Sequence, residues 1–347
     1  MIISSPQKIT FRPAWILLFN SLRLPCIAAL CWLATVASAD VFKGAIVVDA
    51  RDGSVLFEDN ANYVGPPASV TKLMTFLVVH DALKAREISL QTLVTVTAAD
   101  SRMGGTQVWL KHNEVFTVEE LLYALIIQSA NDAAHALSHT ASPDREAFVA
   151  RMNVRARQLG MTDTIWRSPH GLPPASRELS ETDMTSPRDL VKLSQALLRE
   201  TDILRFSTVE SREFGQGYRP QSVMMRTHNN LVGKVRGVDG LKTGFTRAAG
   251  FCLAATAERD GRRLIAVIMG SPSSKERDIR MAELIENAFS KLNPSPISAA
   301  PELPTVTPVP PEPPPEIPAL SIITIADEPE PSTAANKEPP TVQFVYP

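Results

Sequence analysis

Apolar residues recur along this chain with two different periods, and the switches between them mark its elements. Residues 45–50 and 54–59 are short apolar-rich runs separated by Arg51-Asp52-Gly53. That pattern predicts a hairpin turning on Asp-Gly. Over 69–85, Leu73, Phe76, Leu77, Val79 and Leu83 fall at helical spacing. Thr117 followed by Glu120 resembles a capping box, which opens an expected helix through Ile127. Further helices are expected over 131–139, 144–159 and 186–199. Extended segments return at 238–244, 250–258 and 264–269, the last two punctuated by Asp260-Gly261 as a second hairpin. Residues 275–291 read as a closing helix. Strands at both ends with helices between predict one α/β (α+β) domain, its sheet mostly antiparallel and its ends brought together.

The two flanks differ from this body. Lys8, Arg12 and Arg23 precede an apolar run over 24–34, and Ala37-Ser38-Ala39 supplies small residues before Asp40. Residues 1–39 therefore read as an export signal cleaved after Ala39. The alternative is an uncleaved anchor, for which the apolar run is short. Cys26 and Cys31 lie inside that segment, leaving Cys252 alone in the mature chain and no internal disulfide. Residues 294–347 hold 16 of the 28 prolines and a net charge of −6. They read as a disordered or polyproline-like arm, its partners unknown. The domain expected between them, 40–293, is close to neutral, and nothing in its charge points to nucleic acid.

Three short motifs carry candidate chemistry. Ser69-Val70-Thr71-Lys72 places a hydroxyl and an amine one helical turn apart, with Ser69 at the positive end of a helix. Lys72 serves as a base only if burial or a neighbouring cation such as Lys242 depresses its pKa. Ser129-Ala130-Asn131 follows the apolar run 121–127, so a turn there can aim Ser129 and Asn131 at one cleft; a plain helix cap is the competing reading. Lys242-Thr243-Gly244 falls on an expected edge strand able to pair with an extended peptide while Lys242 and Thr243 bind its carboxylate. Gly244 keeps that edge uncrowded, and the amides of Phe245 and Ser69 are candidates for an oxyanion hole. Each motif alone is as compatible with a solvated surface. In order, they supply a serine acyl-transfer site that uses no histidine. No metal site or cofactor is expected: His135 and His139 stand at i, i+4, yet no carboxylate or third histidine is obviously placed with them.

These motifs and their surroundings closely resemble the D-alanyl-D-alanine carboxypeptidase family of low-molecular-mass penicillin-binding proteins. The resemblance runs from about Phe42 to Phe289. It includes Pro67 through Thr75, Ser129 through Ala134, Phe148 through Asn153, Ser168-Pro169-His170-Gly171-Leu172 and Val238 through Thr246. It implies a beta-lactamase/transpeptidase-like fold with an all-helical subdomain. It further implies Ser69 as acylated nucleophile, Lys72 as base, and Ser129 and Asn131 assisting proton transfer and substrate placement. Lys242, Thr243 and Arg277 would hold the terminal carboxylate of D-alanyl-D-alanine. The implied substrates are peptidoglycan stem peptides, with beta-lactams as covalent inhibitors and the periplasm or cell envelope as location. Typical members continue into a beta-rich domain and an amphipathic membrane-binding helix. Here only the proline-rich arm follows, which leaves membrane attachment in doubt. A DD-endopeptidase remains the alternative, and a non-catalytic peptidoglycan-binding relative a further one. A class A beta-lactamase is disfavoured, since Glu178 and Glu181 sit in no Glu-x-x-Leu-Asn pattern.

Overall fold

In the computed structural model, which describes residues 42–292, the chain opens with β1 (Gly44–Asp49) and β2 (Val55–Asp59), paired antiparallel. A 3-10 turn, Ala68–Thr71, leads into α1 (Lys72–Lys84). Two short strands, β3 (Leu93–Thr95) and β4 (Val115–Thr117), form a hairpin, and β4 runs directly into α2 (Val118–Tyr123). A π-helical turn, Ala124–Gln128, separates α2 from α3 (Asn131–Thr140). Then come α4 (Arg145–Gln158), α5 (Pro187–Glu200), α6 (Ile203–Ser207) and a second small hairpin, β5 (Ser211–Phe214) with β6 (Val223–Arg226). Three long strands, β7 (Val238–Thr246), β8 (Gly250–Arg259) and β9 (Arg262–Ser271), precede the closing helix α7 (Ser274–Lys291).

The main sheet has the order β2-β1-β9-β8-β7, and every neighbouring pair is antiparallel. All six residues of β1 are buried, so this strand is covered on both faces and reads as a continuous apolar run. Successive side chains alternate sides. Ala45 and Val47 join Leu253, Ala266 and Ile268 beneath Met281, Leu284 and Ile285 of α7. Ile46 and Val48 face the larger core, which contains Leu73 and Leu77 of α1 and Leu190 and Leu193 of α5. Nine of the thirteen residues of α1 are buried, as befits a helix surrounded by protein.

Local chemistry explains the starts and turns. Thr117 Oγ1 accepts a hydrogen bond from Glu120 N at 3.3 Å, Asp144 Oδ1 from Ala147 N at 2.7 Å, and Ser186 Oγ from Asp189 N at 3.2 Å. Pro187 occupies the first position of α5, where its missing donor costs nothing. The β8–β9 turn uses Asp260 at φ 50° and Gly261 at φ 73°, the left-handed pair that a two-residue hairpin favours.

The structure departs from the sequence expectation in three places. Ser69 lies in a 3-10 turn, and the α-helix proper starts at Lys72. The expected helix from Thr117 to Ile127 divides into α2 and the π turn. The hairpins β3–β4 and β5–β6 were not expected, because strands of three or four mixed residues are too short to show a period. The expected export signal and proline-rich arm lie outside the described residues.

Candidate active site

The 3-10 turn that carries Ser69 is clamped between a strand and a loop. On one side, a Cβ built on Gly244 of β7 would lie 2.4 Å from Pro67 O and 3.0 Å from Ser69 N. On the other, a Cβ on Gly171 would lie 2.0 Å from Ala68 O, and Gly171 itself has φ +82°. Only glycine allows either approach. Ala68, immediately before the serine, is held at φ 51°. β7 is the edge strand of the sheet, as expected, and its Gly244 is where it meets Ser69.

From the start of α1, Lys72 sends its amine beneath Ser69. Lys72 Nζ lies 3.1 Å from Ser69 Oγ, 2.6 Å from Asn131 Oδ1 and 2.7 Å from His170 O, and the side chain is fully buried. The amide orientation of Asn131 is fixed by its other end, where Nδ2 donates to Gly104 O at 2.8 Å. Burial, followed by the charge of Lys242, lowers the Lys72 pKa well below 10.5, against the opposing pull of Asp183 and Asp132. An amine in this position gives up its proton more readily than a surface lysine does. His170 is likewise pushed down to about 3 by burial and then by Lys72, so its ring is neutral.

Ser129 is the residue that closes the π turn. It adopts φ 63°, ψ 32°, and it turns the chain before α3 starts at Asn131. Asn131 is not a side-chain cap; the capping position belongs to Ala130, with no side-chain bond. Both ends of the Asn131 amide are engaged inside the protein, so the side chain acts on Lys72 in this geometry rather than facing outward.

Ser69 and Ser129 open onto a cavity of about 300 Å³, also lined by His228, Thr243, Gly244, Phe245 and Arg277. Phe245 is 53% exposed and stacks on Phe251 at 4.2 Å between ring centroids. Lys242 is buried alongside, with Nζ donating to Thr243 O at 3.0 Å. Its pKa is pushed down to about 7 by burial and by Arg277. Arg277, 3% exposed, reaches from α7 and is steadied by Asp278 Oδ1 at 2.6 Å. Thus the cavity is lined by the nucleophile and by the buried Arg277, with Lys242 buried nearby, an arrangement suited to a substrate that ends in a carboxylate.

Some contributors had no local signal in the sequence. Asp183 is fully buried and accepts from Thr71 Oγ1 at 3.1 Å and from Ser168 Oγ at 2.8 Å, bracing the Ser69 turn from below. Burial raises its pKa. His170 enters through its backbone oxygen, which no residue-type pattern reveals. Glu178 and Glu181 do not line the cavity; Glu181 instead accepts from Ser176 Oγ at 2.6 Å. Cys252 is a core residue, its thiol pushed up to about 11 by burial.

One reading is corrected. His135 and His139 do have a carboxylate partner: Asp100 Oδ1 lies 2.5 Å from His135 Nδ1, and Asp100 Oδ2 lies 3.1 Å from His139 Nε2. Asp100 is more than thirty residues earlier in the chain, and only the folding of the 97–110 segment over α3 brings it there. Burial would raise its pKa, but hydrogen bonds from His135, His139 and Thr97 outweigh that and hold it well below the usual carboxylate range.

The family described as D-alanyl-D-alanine carboxypeptidase matches residues 35–273. Among curated relatives, the D-alanyl-D-alanine carboxypeptidase DacF of Bacillus subtilis is 32% identical over 255 residues, covering 74% of this chain and 64% of its own. A D-alanyl-D-alanine endopeptidase of Haemophilus influenzae is 33% identical over 210 residues, covering 60% of this chain and 68% of its own. The chain spans about 60–64% of the length of the first carboxypeptidases it matches. Among solved structures, penicillin-binding protein D2 from Listeria monocytogenes in its ampicillin-bound form has a TM-score of 0.64 and 29% identity. That match covers 72% of this chain and 97% of the other. With more than half its length matched, with Ser69 and Ser129 lining one cavity and Lys72 and Asn131 buried behind Ser69, the chain belongs to the D-alanyl-D-alanine carboxypeptidase family.

Proposed function

We propose that this protein is a serine D-alanyl-D-alanine carboxypeptidase that removes the terminal D-alanine from peptidoglycan stem peptides. The observation that carries this reading is the set of contacts at Lys72 Nζ. Asn131 Oδ1 and His170 O are acceptors only, so they take the two N–H bonds of a neutral amine and leave its lone pair for the Ser69 hydroxyl. Ser69 Oγ attacks the penultimate D-alanine carbonyl as its proton passes to Lys72. The amides of Ser69 and Phe245 stabilise the oxyanion. The C–N bond then breaks, and the leaving amine takes a proton through Ser129. Water attacks the resulting ester, the proton returns to Ser69 Oγ, and the shortened peptide departs. Lys242, Thr243 and Arg277 hold the terminal carboxylate, and Asn131 fixes Lys72 in place.

The same serine accepts beta-lactams, a reading supported by the ampicillin-bound relative. The basic, apolar, then small-residue pattern of 1–39 supports an exported, periplasmic protein. Among the described residues, no helix is long and apolar enough to cross a membrane. Purified protein should form a covalent adduct with a labelled penicillin, and Ser69→Ala should abolish it. Incubation with monomeric and cross-linked muropeptides, followed by mass measurement, tests the substrate. Loss of one D-alanine supports the carboxypeptidase. Conversion of dimers to monomers supports the second reading, an endopeptidase, which the Haemophilus relative favours. Folded protein that neither labels nor cleaves rules out both.

A further inference from the structure

One face of α3 holds down the segment 97–110 at several points. Asn131 N donates to Thr106 O at 2.8 Å, and Asn131 Nδ2 donates to Gly104 O at 2.8 Å. Asp132 Oδ2 accepts from Leu110 N at 3.0 Å. Asn131, His135 and His139 are spaced by four, so they stack along one side of the helix. The last two rings converge on Asp100, at the opposite end of the same segment from Leu110.

This cluster has more than a hydrogen-bonded histidine needs. Two imidazole nitrogens and a carboxylate oxygen, one donor atom from each residue, all lie within 4.8 Å of one another. Zinc bonds of about 2.0–2.1 Å put tetrahedral donors roughly 3.3 Å apart, close to the 3.1 and 3.2 Å separations of His139 Nε2 from the carboxylate oxygens. The 2.5 Å separation at His135 must open by less than an ångström to match. The carboxylate is already oriented: Thr97 N and Thr97 Oγ1 donate to Oδ2 at 2.7 and 2.8 Å, the kind of outer support that metal ligands carry. Asp100 is completely buried, whereas His135 and His139 keep 17% and 26% side-chain exposure. A cation can therefore approach from the ring side and keep a water as its fourth ligand.

We infer that Asp100, His135 and His139 bind a divalent first-row transition cation, with zinc the best-matched, and that the ion clips the 97–110 segment onto α3. The two imidazoles and one carboxylate suit zinc rather than calcium or magnesium, which favour all-oxygen sets. On binding, the ion replaces the protons shared between the rings and the carboxylate. Its place is four residues along α3 from Asn131, outside the acyl-transfer cavity, so it takes no part in the bond-breaking steps.

The test uses the purified protein, stripped of metal and titrated with zinc against a chromogenic chelator. One equivalent should bind, and His139→Gln should weaken binding by about 100-fold or more, since loss of even an outer-shell partner costs roughly 10–100-fold. Cobalt in place of zinc should give the visible absorption of a low-symmetry nitrogen–oxygen site in wild type and not in His139→Gln. Zinc should also slow amide exchange across 97–110. His139 is partly exposed, so its substitution leaves the fold intact; circular dichroism checks this. Wild-type binding no tighter than that of folded His139→Gln, or unchanged exchange across 97–110 on zinc addition, overturns the inference. Penicillin labelling reads the acyl-transfer proposal separately.

Discussion

At Lys72 a single nitrogen sits among three oxygens, and its protonation decides whether Ser69 can react. Acylation requires the lone pair, so the rate rises as pH climbs through the lowered Lys72 pKa. Lys242 must stay cationic to hold a carboxylate, and with its pKa pushed down to about 7 that charge is lost as pH rises through that value. The kcat/KM of a D-alanyl-D-alanine peptide should accordingly show an acid limb from Lys72 and an alkaline limb near pH 7 from Lys242. Lys242→Arg, whose guanidinium does not titrate, should lift the alkaline limb; an unmoved limb would assign it to another group. Asn131→Ala removes an acceptor from Lys72 and should slow penicillin acylation by about 100-fold or more in stopped-flow labelling, with the fold retained. The pairs Ser69 with Lys72 and Ser129 with Asn131 were legible because each spans no more than one turn of chain. Asp183, His170 O and Asp100 were not. They reach their places only through tertiary folding, and a backbone oxygen or an isolated aspartate carries no motif.

At the scale of elements, the site depends on where regular structure stops. The π turn ends in a left-handed Ser129, and the 3-10 turn that holds Ser69 opens on Ala68 at φ 51°, so both serines lie beside residues where regular helix breaks off. The helix spacing correctly put Lys72 one turn from Ser69, yet periodicity alone cannot distinguish α, 3-10 and π segments of four or five residues. The long strands and the capped helices α4, α5 and α7 were legible to within one or two residues, since caps, Asp-Gly turns and continuous apolar runs are local signals. Gly244 was expected to keep a substrate-facing edge open; the structure shows its Cα pressed against the backbone of the Ser69 turn as well. Gly244→Ala should push β7 and the 3-10 turn apart and lower penicillin acylation by about 100-fold, because displacement of about 1 Å is that costly. Its thermal unfolding should remain cooperative, and an acylation rate equal to wild type would show that the contact does not position Ser69.

Across the whole molecule, the two faces of one sheet each cover a core of their own, the larger under α1 and α5 and the smaller under α7. Leu284→Ala in α7 opens a cavity beneath Ala45 and Val47 and should cost about 2–5 kcal/mol in urea unfolding, although Leu284 lies far along α7 from Arg277. Cys252 offers a built-in probe of the larger core on the opposite face. Being fully buried and poorly ionised, it should react with a thiol reagent only when the sheet opens, at a rate that urea accelerates; prompt labelling in native buffer would contradict its placement. The sheet order has a consequence in time as well as in space. β1, among the first residues of the domain to be synthesised, takes β9 as its inner neighbour, with Gly44 opposite Met269 and Ala45 opposite Ile268. More than two hundred residues must therefore appear before the central strand pair can zip, and closing so long a loop is slow. A nascent chain halted before β9 has a first strand with half its hydrogen-bonding edge unfilled, so it waits, unfinished and threadable, until its own far end arrives.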